Sequence, residues 1–164
     1  LFFGHSCIIT SADKCNMSRI MKSQRNLTVC PGGFEEATLH RHDANVLYLK
    51  KRMGIIKLCL VHGYHPVIWF AFGDNHTYYN LQIFTRFRLW VSKFGIPGVL
   101  PIGRFLIFPR TLKLRNVVSD PIIIPHIPNP TDKDVVKYHD MYLLKLREFY
   151  EKHKTPIDGD LIIV

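Results

Sequence analysis

The chain has 164 residues, the length of one domain, and 47% of them are hydrophobic while 21% are charged. This composition excludes a disordered protein and favours a globular α/β or α+β domain. Lysine and arginine (22) outnumber aspartate and glutamate (13), which gives a formal charge of +9 at pH 7. A basic domain suits nucleic acid, anionic membranes or phosphate-bearing small molecules, and a solvated basic surface explains the charge equally well.

The start of the chain, its cysteines and its apolar runs carry weaker signals. Residue 1 is Leu1, with neither the basic stretch nor the cleavage site of a signal peptide after it, so we expect a partial sequence. The four cysteines form no C-x-x-C pair, and we expect reduced thiols with Cys30 and Cys59 buried. The sequence contains no run of about 20 apolar residues, so we predict no transmembrane helix. The apolar, irregular stretch 94–109 is compatible with lying against a bilayer.

The first part of the chain is predicted to contain two helices and a strand. Apolar residues at helical spacing predict a helix over residues 11–22. The β-branched run at residues 27–30 predicts a short strand, which the turn Pro31-Gly32-Gly33 closes. A second helix is predicted over residues 45–62, with Gly63 as its C-terminal stop.

The second part continues the alternation of strands and helices. Residues 67–72 are apolar without interruption, which predicts a strand covered on both faces inside a mostly parallel sheet. A helix is predicted over 81–94, a short strand over 121–124 and a polar loop over 128–130. The clearest helix follows Thr131, a candidate N-cap, and carries an apolar stripe as far as Phe149. This order of elements predicts an α/β fold.

The most informative stretch runs Val29-Cys30-Pro31-Gly32-Gly33-Phe34-Glu35-Glu36-Ala37. Two adjacent glycines let the backbone approach a ligand closely, because neither carries a Cβ atom. A carboxylate just beyond them can accept a hydrogen bond from a hydroxyl group or orient a catalytic base. Because a Pro-Gly-Gly sequence is more often only a turn, this stretch alone is weak evidence for a binding site.

The residues that follow strengthen this interpretation. The pattern Gly32-Gly33-x-x-Glu36-Ala37 is followed by Arg52-x-Gly54-x-x-Lys57, then His62-Gly63, then Phe70-x-Phe72-Gly73-Asp74-Asn75. This series resembles the acyl-CoA:diacylglycerol and monoacylglycerol acyltransferase family, strongly over residues 27–75 and more loosely over most of the remaining chain. The resemblance implies an α/β fold with a mixed sheet flanked by helices. Residues 1–164 would then form the C-terminal part of a single, incomplete acyltransferase domain.

Several positions depart from the family pattern. Ile55 stands where the family has phenylalanine and Ser119 where it has glycine, and these departures bear on substrate choice more than on family membership. The family's His-Pro-His-Gly motif, whose histidine is taken to deprotonate the acceptor hydroxyl, is missing from these 164 residues. His65 and Pro66 imitate it in a later block, but no His-Gly follows them. We therefore expect His65 to have a structural role in a helix-to-strand connection.

The resemblance implies substrate contacts but no catalytic residue in this chain. The expected substrate-binding residues are Gly32, Gly33, Glu36, Arg52, Gly54 and Lys57. Glu36 would orient the missing histidine or hold the acceptor hydroxyl, unless backbone N–H groups at a helix N-terminus simply satisfy its carboxylate. Arg52 and Lys57 would meet the phosphates of coenzyme A, although both are equally ordinary on a solvated helix. His40 and His42 lie near Glu36, but no second cluster supports them and we predict no metal site.

The sequence therefore predicts an enzyme that moves a fatty acyl group from acyl-CoA to the hydroxyl of diacylglycerol or monoacylglycerol. We expect it at the cytosolic face of the endoplasmic reticulum membrane, with no cofactor besides the co-substrate acyl-CoA. The catalytic histidine is expected outside this chain, so the chain alone should be inactive. The alternatives are another acceptor, such as a lysophospholipid or wax alcohol, a catalytically inactive scaffold, or a basic nucleic-acid-binding or interaction module. Nucleic acid is not an expected partner, because lysine and arginine do not cluster with aromatic residues.

Overall fold

The computed structural model describes residues 11–81, 83–92, 94, 96, 98–103, 108, 110 and 113–164. The helices are α1 (Lys14–Lys22), α2 (Gly33–Leu39), α3 (Gly54–His62), α4 (Thr85–Ser92) and α5 (Asp132–His153), and a 3₁₀ turn covers Asp74–His76. The strands are β1 (Ala44–Leu47), β2 (Trp69–Phe72), β3 (Tyr79–Asn80), β4 (Pro101–Ile102), β5 (Arg115–Val118) and β6 (Asp160–Ile163). The predicted α/β fold class is confirmed.

The strands of the described residues form three two-stranded pairs. β1 pairs in parallel with β6, whereas β2 with β5 and β3 with β4 are antiparallel. The expectation of a mostly parallel sheet around residues 67–72 is therefore wrong for these strands. Trp69 is 62% exposed while Phe72 is 1% exposed, so the other face of β2 is open to solvent. Successive strand residues point to opposite faces, and an unbroken apolar run does not show that both faces are covered.

The prediction of a helix over residues 45–62 is wrong for the first half of that range. Residues 44–47 form β1, whose Asn45 is opposite Leu161 in β6. The N–H groups of Leu49 and Lys50 also donate to the carbonyl oxygen of Val164. These partners lie more than a hundred residues away, and a local apolar pattern cannot reveal them. The helix begins only at Gly54, and it ends at Gly63 as expected, with φ of 69°.

Two short predicted strands are also absent from the described structure. Residues 27–30 have no regular secondary structure, and residues 121–124 have none either. The strand in that region is instead β5. Proline at position 121 has no N–H to donate, which suits an irregular segment.

The predicted helices over 11–22 and 81–94 and the helix after Thr131 are confirmed by α1, α4 and α5. Thr131 and Asp134 form a capping box, in which the Thr131 Oγ accepts from the Asp134 N–H and the Asp134 carboxylate accepts from the Thr131 N–H. No helix of the described residues is long and apolar enough to cross a membrane. The stretch 94–109 is described only at residues 94, 96, 98–103 and 108, and the rest of it lies outside the described residues.

Helix α5 joins the two hydrophobic cores. Leu146, Phe149 and Tyr150 pack with β2 in one core, and Val135 packs with α3 in the other. Cys59 lies in the second core at 4% exposed, as predicted, whereas Cys30 is exposed and the prediction for it is wrong. Cys15, Cys30 and Cys59 are free thiols, and Cys7 lies outside the described residues.

Candidate functional site

Glycine is required at positions 32 and 33 for two different structural reasons. Gly33 begins α2 with φ of 65°, a left-handed conformation that disfavours residues with a side chain. Gly32 has an ordinary helical conformation, but a Cβ atom there would overlap the side chain of Glu36. The first glycine is therefore needed to make room for the glutamate four positions on.

The carboxylate of Glu36, which lies against Gly32, is bound by a backbone N–H group that follows β1. Its Oε2 accepts a hydrogen bond of 2.9 Å from the N–H of Tyr48, which follows β1. A backbone N–H thus satisfies one carboxylate oxygen, as in the structural alternative for Glu36, although this N–H follows β1 and does not belong to the N-terminus of α2. Burial raises the pKa of Glu36, and the hydrogen bond from Tyr48 opposes that rise only in part. A carboxyl group poised in this way can carry or accept a proton more readily than a solvated one.

A partly buried phenol and a buried thiol are electrostatically coupled in the neighbourhood of Glu36. Burial raises the pKa of Tyr142 on α5, and the nearby Cys59 and Glu36 raise it further. Burial also raises the pKa of the Cys59 thiol to about 11, so this cysteine is protonated at neutral pH.

Arg52 is more constrained than the sequence suggested. Its guanidinium lies 2.8 Å from the carboxylate of Glu35, the neighbour of Glu36, and 5.4 Å from the ring centre of Tyr48. Its Nε is buried and has no hydrogen-bond partner among the described residues. Arg52 thus ties α2 to the loop before α3.

A cavity of about 500 Å³ opens between α1 and the N-terminal turn of α3. Its rim carries four cations and, among the described residues that line it, no carboxylate: Lys14, Lys51, Arg52 and Lys57. Its floor is apolar: Ala12, Met17, Val29, Pro31, Ile55 and Leu58. We refer to this cavity as the basic cleft. It offers an anion-binding rim directly beside a hydrophobic surface.

The six predicted substrate-binding residues separate into two groups. Gly33, Arg52, Gly54 and Lys57 line the basic cleft, whereas Gly32 and Glu36 do not. Gly54 has open space around it, with no atom within 4 Å of an added Cβ. The side chain of Lys57 is 43% exposed, and its ion pair with Asp132 is a loose contact of 3.9 Å. Lys57 is therefore available to a ligand.

Two cations of the cleft were not among the predicted site residues. Lys51 belongs to the short basic run Lys50-Lys51-Arg52, which was a usable signal in the sequence. Lys14 comes from α1, and only the packing of α1 beside α3 brings it to the cleft. No local pattern could have identified it.

The other histidines near the motif have structural contacts. His42 stacks on Tyr79 with 4.1 Å between ring centres, and its Nε2 lies 3.4 Å from Nδ1 of His76. No group of three or more potential metal ligands comes together in the part of the chain that the structure describes. His65 accepts a hydrogen bond of 3.3 Å at Nδ1 from the N–H of Ile124. It thus links the start of β2 to the segment before α5, as a structural connection would.

Replacing Gly32 tests whether the glycine exists to accommodate Glu36. We expect Gly32→Ala to lower the free energy of unfolding by about 1–3 kcal/mol, because the new methyl group displaces the Glu36 side chain. The matched control is Gly54→Ala, which meets open space and should change the free energy by less than about 0.5 kcal/mol. Urea denaturation measures both, and equal losses in the two variants would contradict this account.

The pH dependence of stability tests the environment of Glu36. Its pKa in the folded chain is raised above the ordinary value of 4.5, so the neutral carboxyl group is the form that folding favours. The contribution of the neutral carboxyl group to the free energy of unfolding is fully present below pH 4.5 and is lost as the pH rises through the folded-state pKa. We expect wild type to lose stability relative to Glu36→Gln over that interval, measured by urea denaturation at a series of pH values. If the wild type instead became more stable relative to Glu36→Gln as the pH rises, folding would favour the ionised carboxylate.

Comparison with known proteins gives an independent assignment. The family model described as "Diacylglycerol acyltransferase" matches residues 3–162. Diacylglycerol O-acyltransferase 2-like protein 6 of Mus musculus is 33% identical over 77% of this chain and 42% of its own length. Acyl-CoA wax alcohol acyltransferase 2 of Mus musculus is 31% identical over 90% of this chain and 50% of its own length.

A relative from another organism gives the same result. Diacylglycerol O-acyltransferase 2 of Dictyostelium discoideum is 32% identical over 90% of this chain and 49% of its own length. No solved structure gives a significant match. The chain spans about half the length, or less, of these curated relatives. With the family model covering nearly the whole chain, the protein belongs to the diacylglycerol acyltransferase family.

Proposed function

We propose that this chain is part of an enzyme that transfers a fatty acyl group from acyl-CoA to the hydroxyl of diacylglycerol or monoacylglycerol. The observation that carries the proposal is the basic cleft, in which cations stand beside an apolar floor. Acyl-CoA has the same division, because its nucleotide end bears phosphates and its acyl end is a hydrocarbon chain. The cleft is complementary to both parts of one molecule.

The cations of the cleft would act mainly on the phosphates. Lys14, Lys51 and Lys57 supply ammonium groups, and Arg52 adds a guanidinium that also pairs with Glu35. Charge-assisted hydrogen bonds of this kind are about twice as strong as neutral ones. The apolar floor, which includes Met17 and Leu58, would shield the first part of the acyl chain from water.

Glu36 would act on the acceptor side of the reaction. In acyl transfer, the acceptor oxygen attacks the thioester carbonyl carbon, the carbon–sulfur bond breaks, and the acceptor proton passes to a base. We propose that this base is a histidine outside the present chain, and that Glu36 orients it or holds the acceptor hydroxyl. The Tyr48 N–H fixes one carboxylate oxygen of Glu36, which leaves the other for such a contact.

The cellular setting follows from the proposed substrates. Diacylglycerol and monoacylglycerol reside in membranes, whereas acyl-CoA reaches them from the cytosol. We therefore propose that the enzyme works against a membrane surface, at the cytosolic face of the endoplasmic reticulum. We do not propose nucleic acid as a partner. RNA binding that falls steeply with salt concentration would favour a nucleic-acid-binding module over the proposed enzyme.

A second acceptor is favoured by one of the comparisons. A relative that matches 90% of this chain carries the name acyl-CoA wax alcohol acyltransferase 2. The donor and the chemistry would be the same with a wax alcohol, and only the acceptor would differ. The basic cleft bears on the donor and does not separate the two acceptors.

Neutralising Lys57 tests the donor site. We expect Lys57→Gln to weaken binding of coenzyme A about three- to tenfold, since one partly exposed charge is lost from the rim. Isothermal titration calorimetry measures the affinity. The matched control is Lys145→Gln on α5, whose side chain is 53% exposed and which lies outside the cleft. Equal weakening in both variants would show only a general effect of net charge.

An acyl-transfer assay tests the reaction. With labelled acyl-CoA and diacylglycerol, residues 1–164 should form no triacylglycerol, because the proposed catalytic base lies outside them. The longest natural chain that contains these residues should form it, and should prefer diacylglycerol to a long-chain alcohol when both compete. Preferential wax ester formation would favour the second acceptor. Robust turnover by residues 1–164 would contradict the proposed location of the base.

A further inference from the structure

Helix α4 is oriented with its polar side toward the protein and its aromatic side toward solvent. Arg88 and Ser92 are 6% and 4% exposed, whereas Phe87 and Trp90 are 62% and 54% exposed. A surface helix of a water-soluble domain normally buries its apolar face and exposes its polar one. The reversed arrangement therefore needs a reason.

Arg88 holds the helix in this orientation. Its guanidinium donates to the Asn80 side-chain oxygen at 2.6 Å. It also donates to the carbonyl oxygens of Leu81 and Gly98. Turning α4 to bury its aromatic side would remove these partners from a buried charge, which is strongly unfavourable. The outward direction of the aromatic side is thus built into the fold.

The exposed rings form one continuous surface. Phe87, Trp90 and Phe94, which we call the aromatic stripe, lie at successive turns of the chain. The ring centres of Phe87 and Trp90 are 5.8 Å apart, and those of Trp90 and Phe94 are 4.9 Å apart. Ile83, Phe84 and Ile96 beside them are also more than half exposed. An apolar surface of this kind marks an interaction site rather than an isolated exposed residue.

The charge around the stripe indicates the partner. The 45 residues from 75 to 119 contain no aspartate or glutamate and seven lysines and arginines. Arg86, which is exposed, lies beside Phe87 on α4 itself. Aromatic rings that enter the headgroup region, with cations beside them, are the composition of a helix lying on an anionic bilayer.

We propose that the aromatic stripe of α4 inserts into the headgroup layer of an anionic phospholipid bilayer, with Arg88 as the positioning residue that keeps the stripe outward. This inference deepens the proposed function, which requires a lipid acceptor, and names the surface that meets the membrane. Vesicle binding does not require acyl transfer, so a failure of the one is distinguishable from a failure of the other.

The two tryptophans of the chain provide a matched experiment. Trp69 and Trp90 are the whole tryptophan content, and they are 62% and 54% exposed. Trp69→Phe leaves Trp90 as the only tryptophan emitter, and Trp90→Phe leaves Trp69. Each variant, made in the longest natural chain with any further tryptophans replaced, is titrated with phosphatidylcholine vesicles that contain about 30% phosphatidylserine. Trp90 emission should shift to the blue and be quenched by brominated acyl chains, while Trp69 emission should not change.

A second pair of variants tests the stripe while keeping Trp90 as the reporter. Phe87→Ser with Phe94→Ser, in the Trp69→Phe chain, should lower the partition coefficient about tenfold or more. Leu144→Ser with Ile157→Ser removes residues of similar exposure elsewhere and should leave it unchanged. Circular dichroism confirms that each variant is folded.

Three outcomes would overturn the proposal. The first is the absence of a Trp90 shift, or an equal shift of Trp69. The second is a Trp90 shift that depends on protein concentration without vesicles, which would assign the stripe to contacts between copies. The third is Trp90 emission that is already blue-shifted and insensitive to brominated lipid, which would place another part of the chain over the stripe.

Discussion

The hydroxyl group of Tyr150 connects parts of the chain on which the site depends. This residue on α5 is fully buried, its oxygen accepts a hydrogen bond of 2.8 Å from the Asn45 amide, and its O–H points to the Gly159 carbonyl oxygen at 2.9 Å. It thereby fixes α5 against β1 and against the turn that leads into β6. Because β1 leads directly to Tyr48, the same contacts position the backbone N–H that holds Glu36. A buried hydroxyl in one core thus determines where the carboxylate of the motif lies.

The six motif residues divide between two parts of the proposed reaction. Gly32 lets Glu36 lie close to the backbone, and we propose Glu36 for the acceptor side. We propose Lys57 and the other cations of the basic cleft for the donor side. The salt bridge of 2.8 Å between Arg52 and Glu35 joins the two sides, because Glu35 is the neighbour of Glu36 on α2.

Local signals in the sequence were sufficient for some elements and not for others. The helix after Thr131 was predictable because its cap and its apolar stripe lie within one segment. The strand β1 was not, since its partner β6 is more than a hundred residues away and its residues fit a helical pattern equally well. At the site, Lys57 was predictable from the family motif, whereas Lys14 reaches the cleft only through tertiary packing. The reversed orientation of α4 was likewise invisible, because Arg88 had no special spacing and its partners are set by the fold.

Photoaffinity labelling can show directly whether acyl-CoA occupies the basic cleft. A fatty acyl-CoA with a diazirine near the thioester is irradiated with the protein, and the modified peptides are mapped by mass spectrometry. The account predicts labels on the apolar floor, at Met17, Ile55 or Leu58, and their loss when excess coenzyme A competes. Labels that appear instead around Phe72 and Arg115, which line a separate cavity, or that persist under competition, would contradict it.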